Sequence, residues 1–143
     1  MFTNILVPID GSEFSINAAI VAASIADKYS GKLTLLHAVS KPLSKTSIAE
    51  LEQEIAHFRA EGRQILADAL AATGKTEDEV EIVLSWGNPM EIIPEEVEDK
   101  GYNLIVMGSR GLNAIRGILM GSVSERISRS VKCPVLIIKE LVQ

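Results

Sequence analysis

Short apolar runs alternate with segments of helical spacing along the whole chain, and this alternation limits the fold more than any other feature of the sequence. Ile5 to Ile9 is a β-branched run ended by Pro8-Ile9-Asp10-Gly11, which reads as a buried strand stopping at a turn. Ser12 is positioned as a helix N-cap. From Glu13 to about Tyr29 the residues Ile16, Ala19, Ile20, Ala23 and Ala26 recur at helical spacing, with Gly31 as the expected stop. Lys32 to Val39 is a second strand, and Leu51, Ile55, Phe58, Ile65, Leu66 and Leu70 mark a long amphipathic helix. A third strand, Glu81 to Ser85, precedes a helix from Pro89 to Asp99, with proline suited to its first turn. Leu104 to Met107, Ser122 to Val131 and Pro134 to Lys139 complete the series as strand, helix and strand.

The strands mostly lack the polar alternation of a half-exposed sheet, so the order βαβαβαβαβ implies a parallel sheet covered on both faces. The expected fold is α/β and doubly wound (Rossmann-like): five parallel strands in the order 3-2-1-4-5, in one domain over residues 1–143. A composition 47% hydrophobic but only 4% aromatic supplies an aliphatic core for such layers. Sheets of this kind bind ligands beyond the carboxyl ends of their strands, where the strand order reverses. That directs attention to the loops after Ile9, Val39 and Met107. The polar, Pro-interrupted stretch Ser40 to Ser47 is the expected mobile lid.

Charge narrows the functional classes. With 14 basic and 19 acidic residues the formal charge is -5 and no basic run offsets it, which argues against nucleic-acid binding through phosphate neutralisation. Cys133 is the single cysteine, cannot form an internal disulfide, and reads as a packed thiol in a reducing compartment. The opening residues carry no cationic flank and break at Pro8, so neither a signal peptide nor a membrane anchor is expected and the cytoplasm is the expected location.

The strongest chemical signal follows the fourth strand. Gly108-Ser109-Arg110-Gly111, nine further residues and Gly121-Ser122 make the pattern G-x2-G-x9-G-S. A glycine turn can adopt angles closed to other residues and aim several N–H groups at one anion, and a helix start adds unpaired N–H groups and positive potential. The competing interpretation is a plain turn followed by an S-x-x-E capping box of Ser122 and Glu125, worth about 1 kcal/mol to the helix. Position beside the switch point favours phosphate. Asp10, at a strand end facing the same crevice, either forms a turn before Gly11 or binds a divalent ion.

These residues resemble the universal stress protein family over nearly the whole chain. The likeness is carried by Ile5-Leu6-Val7-Pro8-Ile9-Asp10-Gly11-Ser12, Leu36-His37-Ala38-Val39, Gly87-Asn88-Pro89 and Leu104-Ile105-Val106-Met107-Gly108-Ser109-Arg110-Gly111. It continues through Leu119-Met120-Gly121-Ser122-Val123-Ser124-Glu125 and Cys133-Pro134-Val135-Leu136-Ile137-Ile138. In that family the glycine pattern marks the branch that binds ATP. The resemblance implies Pro8 and Ala38 on the adenine side, and Asp10 near the ribose or a phosphate-bound Mg2+ or Mn2+. It implies Met107, Gly108, Arg110, Gly111, Leu112 and Asn113 around ribose and phosphates, with Gly121, Ser122, Val123 and Ser124 on the phosphates. Ser124 stands where relatives often have Thr, and Arg110 occupies a variable position. The resemblance also implies a homodimer paired through the last strand, Pro134 to Lys139, whose apolar edge would otherwise lie open.

Other motifs carry less. Gly74-Lys75-Thr76 imitates the end of a Walker A loop, but residue 69 is Ala and a helix precedes it. His37 and His57 have no second ligand at a metal spacing, Trp86 reads as a surface aromatic bordering the site at most, and Glu95 to Asp99 reads as a solvated helix face. No catalytic pair stands near the glycines. The expected function is therefore an ATP-binding stress-response module that signals through nucleotide-dependent ordering of its loops. A slow ATPase or self-phosphorylating enzyme and a dimeric scaffold with an empty pocket are the alternatives.

Overall fold

The computed structural model describes residues 1–112 and 120–140. Its elements in chain order are β1 (Asn4–Pro8), α1 (Glu13–Tyr29), β2 (Lys32–Val39), α2 (Ile48–Thr73), β3 (Val80–Trp86), α3 (Pro89–Lys100), β4 (Leu104–Gly108), α4 (Ser122–Ser130) and β5 (Val135–Ile138). The strands form one sheet in the order β3-β2-β1-β4-β5, every neighbouring pair parallel. The expected architecture and strand order are therefore those observed.

Two apolar layers sandwich the sheet. One contains Ile5, Val7, Leu33, Leu35 and Val106 against α1 and the Leu66 and Ala69 side of α2. The other contains Leu6, Leu36, Ile105 and Met107 against Ile93 of α3 and Ile127 of α4. Odd and even strand positions thus serve opposite layers, as the two-residue strand period requires.

The buried stripe of α1 differs from the expected one. Ser15, Ala18, Ala19, Ala22, Ala23 and Ala26 are buried, whereas Ile20 is exposed and Ile16 only half-buried. Small side chains let this helix lie close on the sheet, and closeness outweighs the larger apolar area of the isoleucines. Ser12 does cap α1, its Oγ accepting from the Ser15 N–H. At the other end Ser30, not Gly31, takes the left-handed cap conformation at φ 52°.

Long α2 ends at Gly74, a left-handed cap, which disposes of the Walker-like triplet. Between β2 and α2, residues 40–46 are irregular but tied to the helix: Ser44 donates through its N–H and Oγ to Glu54, and Lys41 pairs with Glu61 at 2.7 Å. Among the described residues no helix is long and apolar enough to cross a membrane.

Candidate functional site

Central strands β1 and β4 lie side by side, yet the chain leaves β1 into α1 on one face and β4 toward α4 on the other. Divergence of two neighbouring connections opens a crevice at their carboxyl ends. Its volume is about 740 Å³. Pro8, Asp10, Ala38, Met107, Gly108, Arg110, Gly111, Leu112, Gly121, Ser122, Val123 and Ser124 all line it. Asn113 lies outside the described residues.

The glycines are needed here for space, which corrects the conformational argument made from the sequence. None of Gly108, Gly111 and Gly121 has a positive φ, whereas Gly11, in the turn after β1, does at 89°. A Cβ on Gly108 would lie 2.6 Å from the Phe14 Cβ and 2.7 Å from its carbonyl carbon, so this glycine seats α1 against β4. On Gly111 it would lie 2.6 Å from Asp10 Oδ2, and on Gly121 it would meet the Ser109 carbonyl at 3.3 Å and the Arg110 Cα at 3.4 Å. Gly108 is thus a packing residue, while Gly111 and Gly121 bring three segments together at one end of the crevice.

The start of α4 also differs from the capping-box interpretation. Gly121 is the N-cap, Ser122 is the first helical residue, and no side chain accepts a cap hydrogen bond. Glu125 reaches Arg129 at 3.5 Å instead of the cap. The Gly121 N–H donates to the Ser109 carbonyl, and the Glu125 N–H to the Gly121 carbonyl. That leaves the N–H groups of Ser122, Val123 and Ser124 without partners among the described residues, as the geometry of a helix start dictates. Ser124 is buried and its Oγ donates to the Gly108 carbonyl at 2.6 Å, fixing α4 to the end of β4.

Of the two readings of Asp10, the turn is the one observed. Its Oδ1 accepts from the Ser12 N–H at 2.9 Å, closing the turn, while Oδ2 faces Gly111 across the crevice wall. Among the described residues no three potential metal ligands cluster.

At the opposite end, β1 stops pairing at Pro8–Leu36 while β2 continues to Val39 against β3 alone. The Ile9 carbonyl, which would continue the ladder, pairs instead with His37 Nδ1 at 2.6 Å. Strand alternation then turns the Ala38 backbone toward the opening. His37, Lys41, Phe58, Glu61 and Gly62 also line this end and were not among the sequence candidates. Gly62 carried a signal, since a glycine inside a long helix marks a close approach. A Cβ there would sit 2.7 Å from Leu84 Cδ1 and 3.1 Å from His37 Cδ2. Lys41 and Glu61 carried none, because only the docking of the loop on α2 joins them. The Lys41 ammonium holds the Glu61 carboxyl below its usual range. Trp86 lies outside the crevice, in a neighbouring cavity of about 560 Å³ shared with Leu43 and Asn88. Cys133 is partly buried and burial pushes its thiol up, consistent with a packed, unreactive role.

Fold and site together define a doubly wound α/β protein with an anion-suited crevice at its switch point. The sequence pattern described as "Usp: Universal stress protein family" matches residues 1–139. Universal stress protein YxiE of Bacillus subtilis (strain 168) is 32% identical, the alignment covering 97% of this chain and all of that protein. Universal stress protein UspA from Lactobacillus plantarum is similar in structure, with a TM-score of 0.73, 26% identity and coverage of 96% of this chain and 97% of its own. A universal stress protein solved in complex with cAMP gives a TM-score of 0.65 at 28% identity, covering 96% of each chain. The chain belongs to the universal stress protein family.

Proposed function

We propose that this protein is an ATP-binding regulatory module of the stress response. The observation that carries the proposal is the set of N–H groups of Ser122, Val123 and Ser124 that have no partner among the described residues, set beside Gly111 and Gly121 in a crevice large enough for a nucleotide. The polyphosphate lies on these amides, with Met107, Gly108, Arg110, Gly111 and Leu112 around it and the ribose. Pro8 and the backbone of Ala38, which lies beyond the last β1–β2 pair, take the adenine. The related protein solved with cAMP supports an adenine nucleotide as the ligand class.

Asp10 suits a nucleotide-borne Mg2+ or Mn2+ because Oδ2 is one hard oxygen at the phosphate end, and such ions bind through phosphates plus one or two carboxylates. The ion would screen phosphate charge. Asp10 itself keeps the β1–α1 turn closed and orients that oxygen. Catalysis is not part of this reading: His57 lies beside Glu61 at 3.6 Å on the exposed face of α2, and phosphate release should stay far below the ~10 per second typical of enzymes. Nucleotide occupancy tightens residues 40–46 against α2 through Lys41 and Ser44, and partners read that state. Two copies pair through β5, whose apolar edge is partly exposed at Leu136, and the protein acts in the cytoplasm.

The test is direct. Freshly purified protein is denatured and removed, and the supernatant is examined by absorbance and chromatography, followed by titration of stripped protein with ATP. An adenine nucleotide, or ATP binding by the stripped protein, is the expected result. Protein that releases none and ignores saturating ATP would refute the reading.

A further inference from the structure

Arg110 stands between two helix starts. Its Cα is among the first atoms a side chain on Gly121 would meet, so its backbone abuts the cap of α4. Its guanidinium nevertheless lies over the ring of Phe14, 4.4 Å from the centroid, in the first turn of α1. Both positions fall within the span of one arginine side chain.

Electrostatics separates them. Both positions lie at helix N-termini, whose partial positive charge disfavours a guanidinium, but at α1 the aromatic face of Phe14 attracts it. A polyphosphate at the helix start reverses that preference. Among the described residues no carboxylate pairs with Arg110, while Lys41, the other cation on the crevice wall, is held by Glu61. Asp10 and Glu125 also line the crevice, so phosphates extending beyond the α4 amides would meet carboxylates, which Arg110 would screen together with the Mg2+ suited to Asp10.

We propose that Arg110 is the residue by which the site distinguishes a nucleoside triphosphate from a monophosphate. It leaves the Phe14 ring for the outer phosphates of the triphosphate and stays on the ring when only an α-phosphate is bound. This rests on the nucleotide-binding reading above and adds to it a selectivity and the residue that sets it. Phe14 is the competitor for the same guanidinium, so its ring weakens triphosphate binding.

The test is calorimetric titration of the full chain with ATP and with AMP, Mg2+ present throughout. In Arg110→Gln the ATP affinity is expected to fall about tenfold while AMP affinity changes less than about twofold, the loss expected for a charge-assisted contact. In Phe14→Leu, which keeps an apolar side chain but removes the ring, ATP affinity is expected to rise about two- to fivefold with AMP unchanged. A merely structural Arg110 would shift both nucleotides together. Equal losses for ATP and AMP in Arg110→Gln, or unchanged ATP affinity in Phe14→Leu, would overturn the proposal while leaving nucleotide binding intact. A native protein that binds neither nucleotide would remove the functional reading and this one with it.

Discussion

Helices α1 and α4 both start at the crevice, and their first turns are built in opposite ways. In α1 the Ser12 hydroxyl accepts from Ser15, the Asp10 carboxylate accepts from Ser12, and Glu13 adds negative charge. In α4 the cap is Gly121, which has no side chain, and the one buried hydroxyl of the first turn, Ser124, is turned back onto the Gly108 carbonyl. Among the described residues the first helix leaves the Glu13 and Phe14 N–H groups without partners and caps that of Ser15, whereas the second leaves all three of Ser122, Val123 and Ser124. A cap residue and a ligand compete for the same N–H groups, so omitting the cap is what makes a helix start available to an anion.

The comparison can be broken at the contact that holds the two starts together. Gly108→Ala forces a Cβ against the Phe14 backbone, which cannot yield without moving α1, and should cost about 3 kcal/mol in urea unfolding. An unchanged midpoint would mean that α1 is not seated by this glycine. Ser124→Ala removes the donor to the Gly108 carbonyl and should cost about 1–2 kcal/mol in the same assay. The comparison is sharpened by Ser12→Ala, expected to cost about 1 kcal/mol of stability while ATP affinity moves less than about twofold. A large loss of affinity there would make α1, and not α4, the anion-binding terminus.

Much of the fold was legible in the sequence because strand and helix periods were clean. The β2 limits, Lys32 to Val39, coincide with the observed strand, and the remaining strands differ by a residue or two at their ends. The buried face of α1 was misjudged because hydrophobicity favours Ile16 and Ile20, while the helix is placed by how near its alanines allow it to come. Ser122 was open to assignment as a cap because S-x-x-E is a local pattern; the turn through Ser109 and Gly121 that shifts the cap by one residue is tertiary. The glycine spacing pointed to residues that do line one crevice, but for an incomplete reason, since Gly108 serves the core and only Gly111 and Gly121 border the open helix start. His37, Lys41 and Glu61 reach the crevice through pairings across strand, loop and helix that no single segment encodes.

The central claim is that the uncapped start of α4 binds the phosphates of ATP, and equilibrium titration of the native protein and Gly121→Val with ATP tests it most directly. A valine there places its Cβ against Ser109 and Arg110, and circular dichroism of the variant checks that it is folded. The account predicts ATP affinity at least tenfold weaker in the variant, about 1.4 kcal/mol. Equal affinity in the two folded proteins would contradict it.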